Sequence, residues 1–202
     1  MNAKISAIAS FLPRGRLSND DLAGLFEDWS ADKIFKKTGI RERAIAGPEE
    51  TAGDLAASAA EKLFAEHSIE AQSVDFLIFC TQSPDYFLPT TACLIHRRLG
   101  LRASSGAIDV NQGCSGFVYS LSLAKGLIAS GSAKRVLILT ADTYSKYIHP
   151  RDKSVRTLFG DAGAAVLVDA VSADSASRVG SFVFGTDGAG ACNLIVPTGG
   201  AR

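Results

Sequence analysis

Asp109-Val110-Asn111-Gln112-Gly113-Cys114-Ser115-Gly116-Phe117 joins the end of one apolar run, Gly106 to Val110, to the start of another, Phe117 to Ile128. The first run is short and bounded by turn residues, as in a buried strand. The second carries apolar residues at 117, 118, 121, 123, 124, 127 and 128 and stops before Gly131, as in a helix. Cys114 therefore falls at a strand-to-helix junction. The first turn of a helix leaves N–H groups unpaired and carries the positive end of the macrodipole, which favours a thiolate. A sulfur so placed is a candidate nucleophile, and the same N–H groups can hold the oxyanion formed when it attacks a carbonyl. The competing reading is a free cysteine that packs as a small apolar side chain.

On both sides of this junction, strand and helix signals alternate. Lys4 to Leu12 reads as a strand, and Ser18-Asn19-Asp20 offers an N-cap for a polar helical segment that ends before Thr38-Gly39. Arg41 to Ala46 reads as a short strand, Thr51 to Phe64 as a helix, and Val74 to Cys80 as a continuous apolar strand buried on both faces. Thr90 to Leu99 is helical in pattern, and Arg135 to Thr140 and Gly163 to Val168 are strands. Such alternation predicts an α/β fold with a mainly parallel sheet covered on both faces. The apolar positions of Phe117 to Ile128 are too wide for one stripe, so this helix is expected to be buried nearly all round, between layers. Asn193 to Pro197 reads as one more apolar segment with no closing element after it, so the fold is expected to be incomplete.

Composition bounds the function. With 202 residues and 47% hydrophobic content the chain can bury a core in one or two domains. Lys plus Arg and Asp plus Glu both number 21, with no long basic run, which argues against nucleic acid as a partner. Cysteines 80, 93, 114 and 192 form no CxxC pair, which argues against a zinc ribbon and a secreted disulfide framework and points to reduced thiols. The apolar stretch Ile5 to Leu12 is too short for a membrane span, so the chain is expected to be soluble and cytoplasmic. Asp142, Asp152 and Asp161 have no metal-ligand spacing, and Gly160-Asp161-Ala162-Gly163 opens a strand where a phosphate loop opens a helix. Gln112 to Gly116 comes near the caspase pattern Gln-Ala-Cys-x-Gly, but His67 ends an amphipathic helix and is better placed to complement its dipole.

Four stretches look like ordered signatures of one family: Thr38-Gly39-Ile40-Arg41-Glu42-Arg43, Thr81-Gln82-Ser83-Pro84-Asp85-Tyr86, Asp109 to Phe117, and Phe159-Gly160-Asp161-Ala162-Gly163-Ala164-Ala165. Through them the chain resembles the β-ketoacyl-acyl-carrier-protein synthase III family of the thiolase superfamily. The resemblance implies a thiolase-like fold, in which an α-β-α layered half is duplicated around buried central helices. It makes residues 1–202 the amino-terminal domain, with the carboxy-terminal half absent.

The resemblance also implies the chemistry. Cys114 would accept an acyl group from acyl-coenzyme A, and malonyl-acyl-carrier protein, losing carbon dioxide, would supply the enolate that attacks the acyl-enzyme. In the family a histidine in a His-Gln-Ala-Asn stretch and an asparagine after a glycine stabilise that enolate. Here His67, His96 and His149 precede Ser, Arg and Pro, and no Gly-Asn pair occurs, so the fragment alone is expected not to condense. No cofactor is called for beyond these substrates. Acyl-carrier protein and acyl-coenzyme A are the expected partners, with no membrane and with a homodimer built around Thr90 and Cys93.

The resemblance assigns Lys37, Lys153, Leu88 and Phe159 to substrate binding. Lys33, Lys37 and Lys153 stand where the family often has a tryptophan and arginines around the adenine and phosphates of coenzyme A. Trp29, one helical turn before Lys33, reads either as a substitute stacking surface or as a packing residue. Leu88 replaces a phenylalanine bordering the acyl pocket and reads equally as a core leucine. Two alternatives stay open: a non-catalytic partner subunit of the same fold, and acyl transfer to an amine or hydroxyl in secondary metabolism.

Overall fold

The structure, a computed structural model, describes residues 1–26 and 28–200. In chain order the elements are β1 (Asn2–Phe11), β2 (Gly15–Ser18), α1 (Asn19–Leu25), α2 (Ala31–Thr38), β3 (Glu42–Ile45), α3 (Ala52–His67), β4 (Phe76–Cys80), α4 (Thr91–Arg98), β5 (Gly106–Val110), α5 (Gly116–Ala129), β6 (Arg135–Asp142), α6 (Lys153–Arg156) and β7 (Ala162–Val171). Five strands form one sheet in the order β1-β7-β6-β4-β5, and β2 and β3 pair separately. β4 runs parallel to β5 and β6, but β7 is antiparallel to both β6 and β1. The sheet is therefore mixed, a correction to the mainly parallel expectation. A parallel pair needs a long crossover, usually a helix. α4 and α5 supply crossovers, whereas the link from β6 to β7 holds no helix longer than the four residues of α6.

Alternation along the strands fills two layers. Leu77, Phe79, Leu137, Leu139, Ala165 and Leu167 face the α3 and α4 side, and Ile78, Val136, Ile138, Val166 and Val168 face α5. Both faces of β4, β6 and β7 are thus covered, as the continuous apolar runs require.

Two further expectations are corrected. The polar segment after Ser18 is two helices. Ser18 closes a capping box with Asp21, and Phe26 ends α1 in an extended conformation. Ser30 then caps α2 afresh by accepting the Lys33 N–H at 3.2 Å. Helix α5 is not enclosed: it buries only Gly116, Ser120, Ala124 and Ile128, a single i, i+4 stripe, and leaves Val118 and Leu123 44% exposed. The segment after β7 covers part of the rest, with the Phe184 ring 4.8 Å from the Tyr119 ring and Lys125 donating to the Gly180 carbonyl. The segment Leu194 to Val196 is likewise exposed and forms no strand.

Candidate active site

β4, β5 and β6 are parallel, so their carboxyl ends open on the same edge of the sheet. α4 covers one face and α5 the other, so the chain leaves that edge in opposite directions, the arrangement that makes a crevice in an open α/β sheet. Cys80-Thr81-Gln82-Ser83 follows β4, Gln112-Gly113-Cys114-Ser115 follows β5, and Asp142-Thr143-Tyr144 follows β6.

Cys114 is exposed and lies one residue before Ser115, the N-cap of α5. The turn closes through Gly116 N–H donating to the Gly113 carbonyl at 2.7 Å, while the N–H groups of Cys114 and Ser115 form no hydrogen bond among the described residues. The sulfur is thus not in the packed interior, which removes the packing alternative. Two glycines seat this turn. A Cβ on Gly113 would lie 2.7 Å from Gln82 Oε1, and one on Gly116 would lie 2.3 Å from Cys80 Sγ. The Gly-Cys-Ser-Gly spacing lets the turn press between Gln82 and Cys80.

A polar group surrounds the turn. Tyr144 donates its hydroxyl to Gln82 Oε1 at 2.5 Å and meets the Phe159 ring edge-on, with centroids 5.3 Å apart. Burial first, then the charges of Asp142, Cys114 and Cys80, push the Tyr144 phenol up to about 12, so it stays protonated and a donor across the physiological range. Asp142 Oδ1 accepts from Gln82 N–H at 2.7 Å, Thr81 Oγ1 at 3.1 Å and Ser83 Oγ at 3.2 Å, fixing the β4 loop to the end of β6. Burial raises Asp142 above the ordinary carboxylate value despite these donors. Cys80 is buried beneath the turn, donates to the Gln112 carbonyl at 3.3 Å, and has its thiol raised by burial.

The Phe-Gly-Asp block is a structural staple for the same edge. Asp161 is buried and accepts from Ala46 N–H at 2.8 Å, Ser145 N–H at 3.0 Å and Ser145 Oγ at 2.5 Å, holding the residue next to Tyr144. A Cβ on Gly163 would lie 2.3 Å from the Leu55 carbonyl, so the start of β7 closes directly on α3. Arg43 of the Thr-Gly-Ile-Arg block is also internal: its guanidinium donates to Asn19 Oδ1 and the Thr157 carbonyl, and burial lowers it.

The assigned substrate residues fall into separate places. Lys37 and Lys153, 116 positions apart in the chain, converge on Trp29: the ammonium groups of Lys37, Lys33 and Lys153 lie 4.9, 5.7 and 6.0 Å from the indole centroid. Trp29 packs against Leu22, Phe26 and Ile34, so it is both a packing residue and the floor of a cationic cluster. Asp28 pairs with Lys153 at 2.7 Å. Phe159 instead joins Tyr144 beside Cys114. Leu88 is 83% exposed next to Phe87, at 84%, which corrects the core-leucine reading. Tyr144 was not singled out by the sequence, Gln82 entered only within a family signature and Asp142 only as a rejected metal ligand; two hydroxyls and an amide directly after the apolar run ending at Cys80 were the available signal. Among the described residues no cluster of three metal-ligating side chains occurs, and no helix is long and apolar enough to cross a membrane.

Together the mixed sheet, the helix on each face and the cysteine turn at the crevice define a thiolase-like α/β protein. Residues 108–192 match the family 3-oxoacyl-[acyl-carrier-protein (ACP)] synthase III. Relatives named β-ketoacyl-[acyl-carrier-protein] synthase III include one from Halalkalibacterium halodurans, 42% identical over 167 residues (83% of this chain, 50% of that protein), and one from Solibacter usitatus, 38% identical over 201 residues (99% and 60%). A crystal structure of a 3-oxoacyl-(acyl-carrier-protein) synthase III superposes with a TM-score of 0.94 at 60% identity, covering 96% of this chain and 58% of that one. The chain belongs to the β-ketoacyl-acyl-carrier-protein synthase III family. It spans 50% and 60% of the length of these two curated relatives.

Proposed function

We propose that this chain is the cysteine-bearing, amino-terminal domain of a condensing acyltransferase of fatty-acid biosynthesis. The Cys114 thiolate attacks the carbonyl of an acyl thioester, the carbon–sulfur bond to the carrier breaks, and the carrier leaves as a thiolate that takes up a proton. The observation that carries this is the exposed Cys114 sulfur, set ahead of the α5 N-terminus beside two N–H groups free to hold the tetrahedral oxyanion. Tyr144, kept protonated, orients Gln82 against the same turn.

For the acyl donor, the Trp29 ring and the amines of Lys37 and Lys153 suit the adenine and phosphates of coenzyme A. Stacking and point-charge pairing then come from one cluster, and the smaller Leu88 borders the acyl pocket from a neighbouring subunit. A homodimer is supported by β5, an edge strand with one partner in this chain, and by the exposed Tyr86, Phe87 and Leu88. The condensation step, with malonyl-acyl-carrier protein as second substrate, requires charge stabilisation that Cys114 and Tyr144 do not supply. In this reading it falls to residues that these 202 do not include.

The test is incubation with acetyl-coenzyme A followed by intact-mass and peptide mass spectrometry. Acetylation confined to Cys114, absent in Cys114→Ala and sparing the exposed Cys93 and Cys192, is expected. Equal labelling of the three exposed thiols would refute a primed nucleophile. Trp29→Ala is expected to weaken transfer from acetyl-coenzyme A while leaving transfer from acetyl-acyl-carrier protein unchanged.

A further inference from the structure

Gln82 reaches the cysteine turn with its amide held from two sides and its donors unspent. Its backbone N–H donates to Asp142 Oδ1 at 2.7 Å, and its Oε1 accepts the Tyr144 hydroxyl at 2.5 Å. The same oxygen lies 2.7 Å from where a Cβ on Gly113 would stand, so the amide rests against the residue before Cys114. The side chain is nonetheless exposed, and its Nε2 has no acceptor among the described residues. The neighbouring polar groups are engaged. Gln112 Nε2 donates to Ser115 Oγ at 3.3 Å, the Thr81 and Ser83 hydroxyls donate to Asp142, and the Tyr144 ring is braced edge-on by Phe159.

An alkyl chain joined to Cys114 as a thioester and lying along Gln82 would strip water from the amide hydrogens and return no acceptor, which is unfavourable. An oxygen on that chain would replace the water, and a site that hydrogen-bonds a substrate oxygen discriminates against the analogue lacking it. The carboxylate of Asp142, bound to the same loop, disfavours an anion here, so the fitting oxygen is neutral. We propose that Gln82 selects the acyl group: its Nε2 donates to a neutral oxygen close to the thioester, as in a 3-hydroxyacyl or 3-oxoacyl chain, with Tyr144 as the positioning residue that orients the amide. This rests on the acyl-transfer reading of Cys114 and adds to it the class of acyl group taken.

The test is the initial rate of Cys114 acylation from 3-hydroxybutyryl-coenzyme A and from butyryl-coenzyme A, read by intact-protein mass spectrometry. Gln82→Met removes the amide, whereas Gln82→Glu keeps an oxygen for the Tyr144 hydroxyl and removes the donor. The parent is expected to favour the hydroxylated donor by about fivefold, the scale of one neutral hydrogen bond, and both variants to bring the ratio to about one. Tyr144→Phe, which leaves the amide free to turn, is expected to lower it to about twofold. Damage to the turn slows both donors alike, so the ratio reads selection and not folding. A parent ratio at or below one, or a ratio kept by either Gln82 variant, overturns the proposal and leaves the acyl-transfer reading standing. Absence of acylation from both donors overturns that reading and this proposal with it.

Discussion

The helices on the two sides of the sheet receive very different treatment. α3 buries eight of its sixteen residues, mostly alanines, and lies so close to β7 that Gly163 has no room for a Cβ. α5 is the more uniformly apolar helix, yet buries four of fourteen along one stripe. Apolar content measures how much burial a helix can use, and contact geometry decides how much this chain provides. On the α3 side the two agree, and on the α5 side they do not.

The sharpest way to break that contrast is a pair of truncations. Leu55→Ala removes a fully buried α3 side chain and is expected to cost about 3 kcal/mol. Leu123→Ala, on the open side of α5, is expected to change stability by no more than about 0.5 kcal/mol. Urea unfolding of the two variants measures both. Equal losses would show that the outer face of α5 is as well packed as α3.

Asp161→Ala tests the staple that ties the α3 side to the site. It strips the acceptor from Ala46 N–H, Ser145 N–H and Ser145 Oγ, and a loss of about 2 kcal/mol is expected from unmet buried donors. The same variant should slow acetylation of Cys114, because Ser145 adjoins Tyr144. A stability loss with unaltered acetylation would confine Asp161 to the fold.

The alternation of strands and helices was legible because each element carries its own period and caps: Thr51 with Asp54 at the start of α3, Gly131 after α5, the apolar run ending at Cys80. The strand-to-helix seat of Cys114 was legible for the same reason. Strand direction was not, since β7 has the same apolar composition whether it runs parallel or antiparallel, and only the connection decides. The group around Trp29 was legible only through the family resemblance and not from local pattern, because Lys153 comes from α6, more than a hundred residues away. The break between α1 and α2 was hidden because Ser30 can sit in a polar helix or cap a new one. Arg43 and Asp161 read as surface charges by type; their burial follows from partners that only the tertiary fold brings near.

At the crevice, buried polar groups replace apolar packing, so pH acts there with a sign opposite to ordinary acid unfolding. Burial raises Asp142 above the carboxylate value of 3.8, and Asp85 is raised for the same reason. Below 3.8 folded and unfolded chains both hold the Asp142 proton. Above it the unfolded chain releases the proton first, so this contribution to stability is fully present in acid and is lost as pH climbs through the raised folded value. Asp142→Asn keeps an oxygen for the Thr81, Gln82 and Ser83 donors and removes the titration. Its urea midpoint relative to the parent is therefore expected to rise between pH 4 and pH 7. A constant difference across that range would mean that Asp142 titrates alike in both states.

The smallest effect concerns Tyr144, because it lies outside the working pH range. The phenol titrates at 10.0 when unperturbed and at about 12 in the fold. Its contribution is complete below pH 10 and lost as pH rises from there through about 12, since the unfolded chain ionises first. Absorbance at 295 nm during alkaline titration should show late ionisation from two tyrosines, since burial also raises Tyr147, and Tyr144→Phe should remove the later of the two. The hydroxyl also holds Gln82 against Gly113, so Tyr144→Phe should slow Cys114 acetylation at neutral pH, where neither form of the site is ionised at this position. If the later transition vanishes while acetylation is unchanged, the phenol is merely buried beside the cysteine turn, and the polar edge of the sheet acts on Cys114 through Gln82 and Asp142 alone.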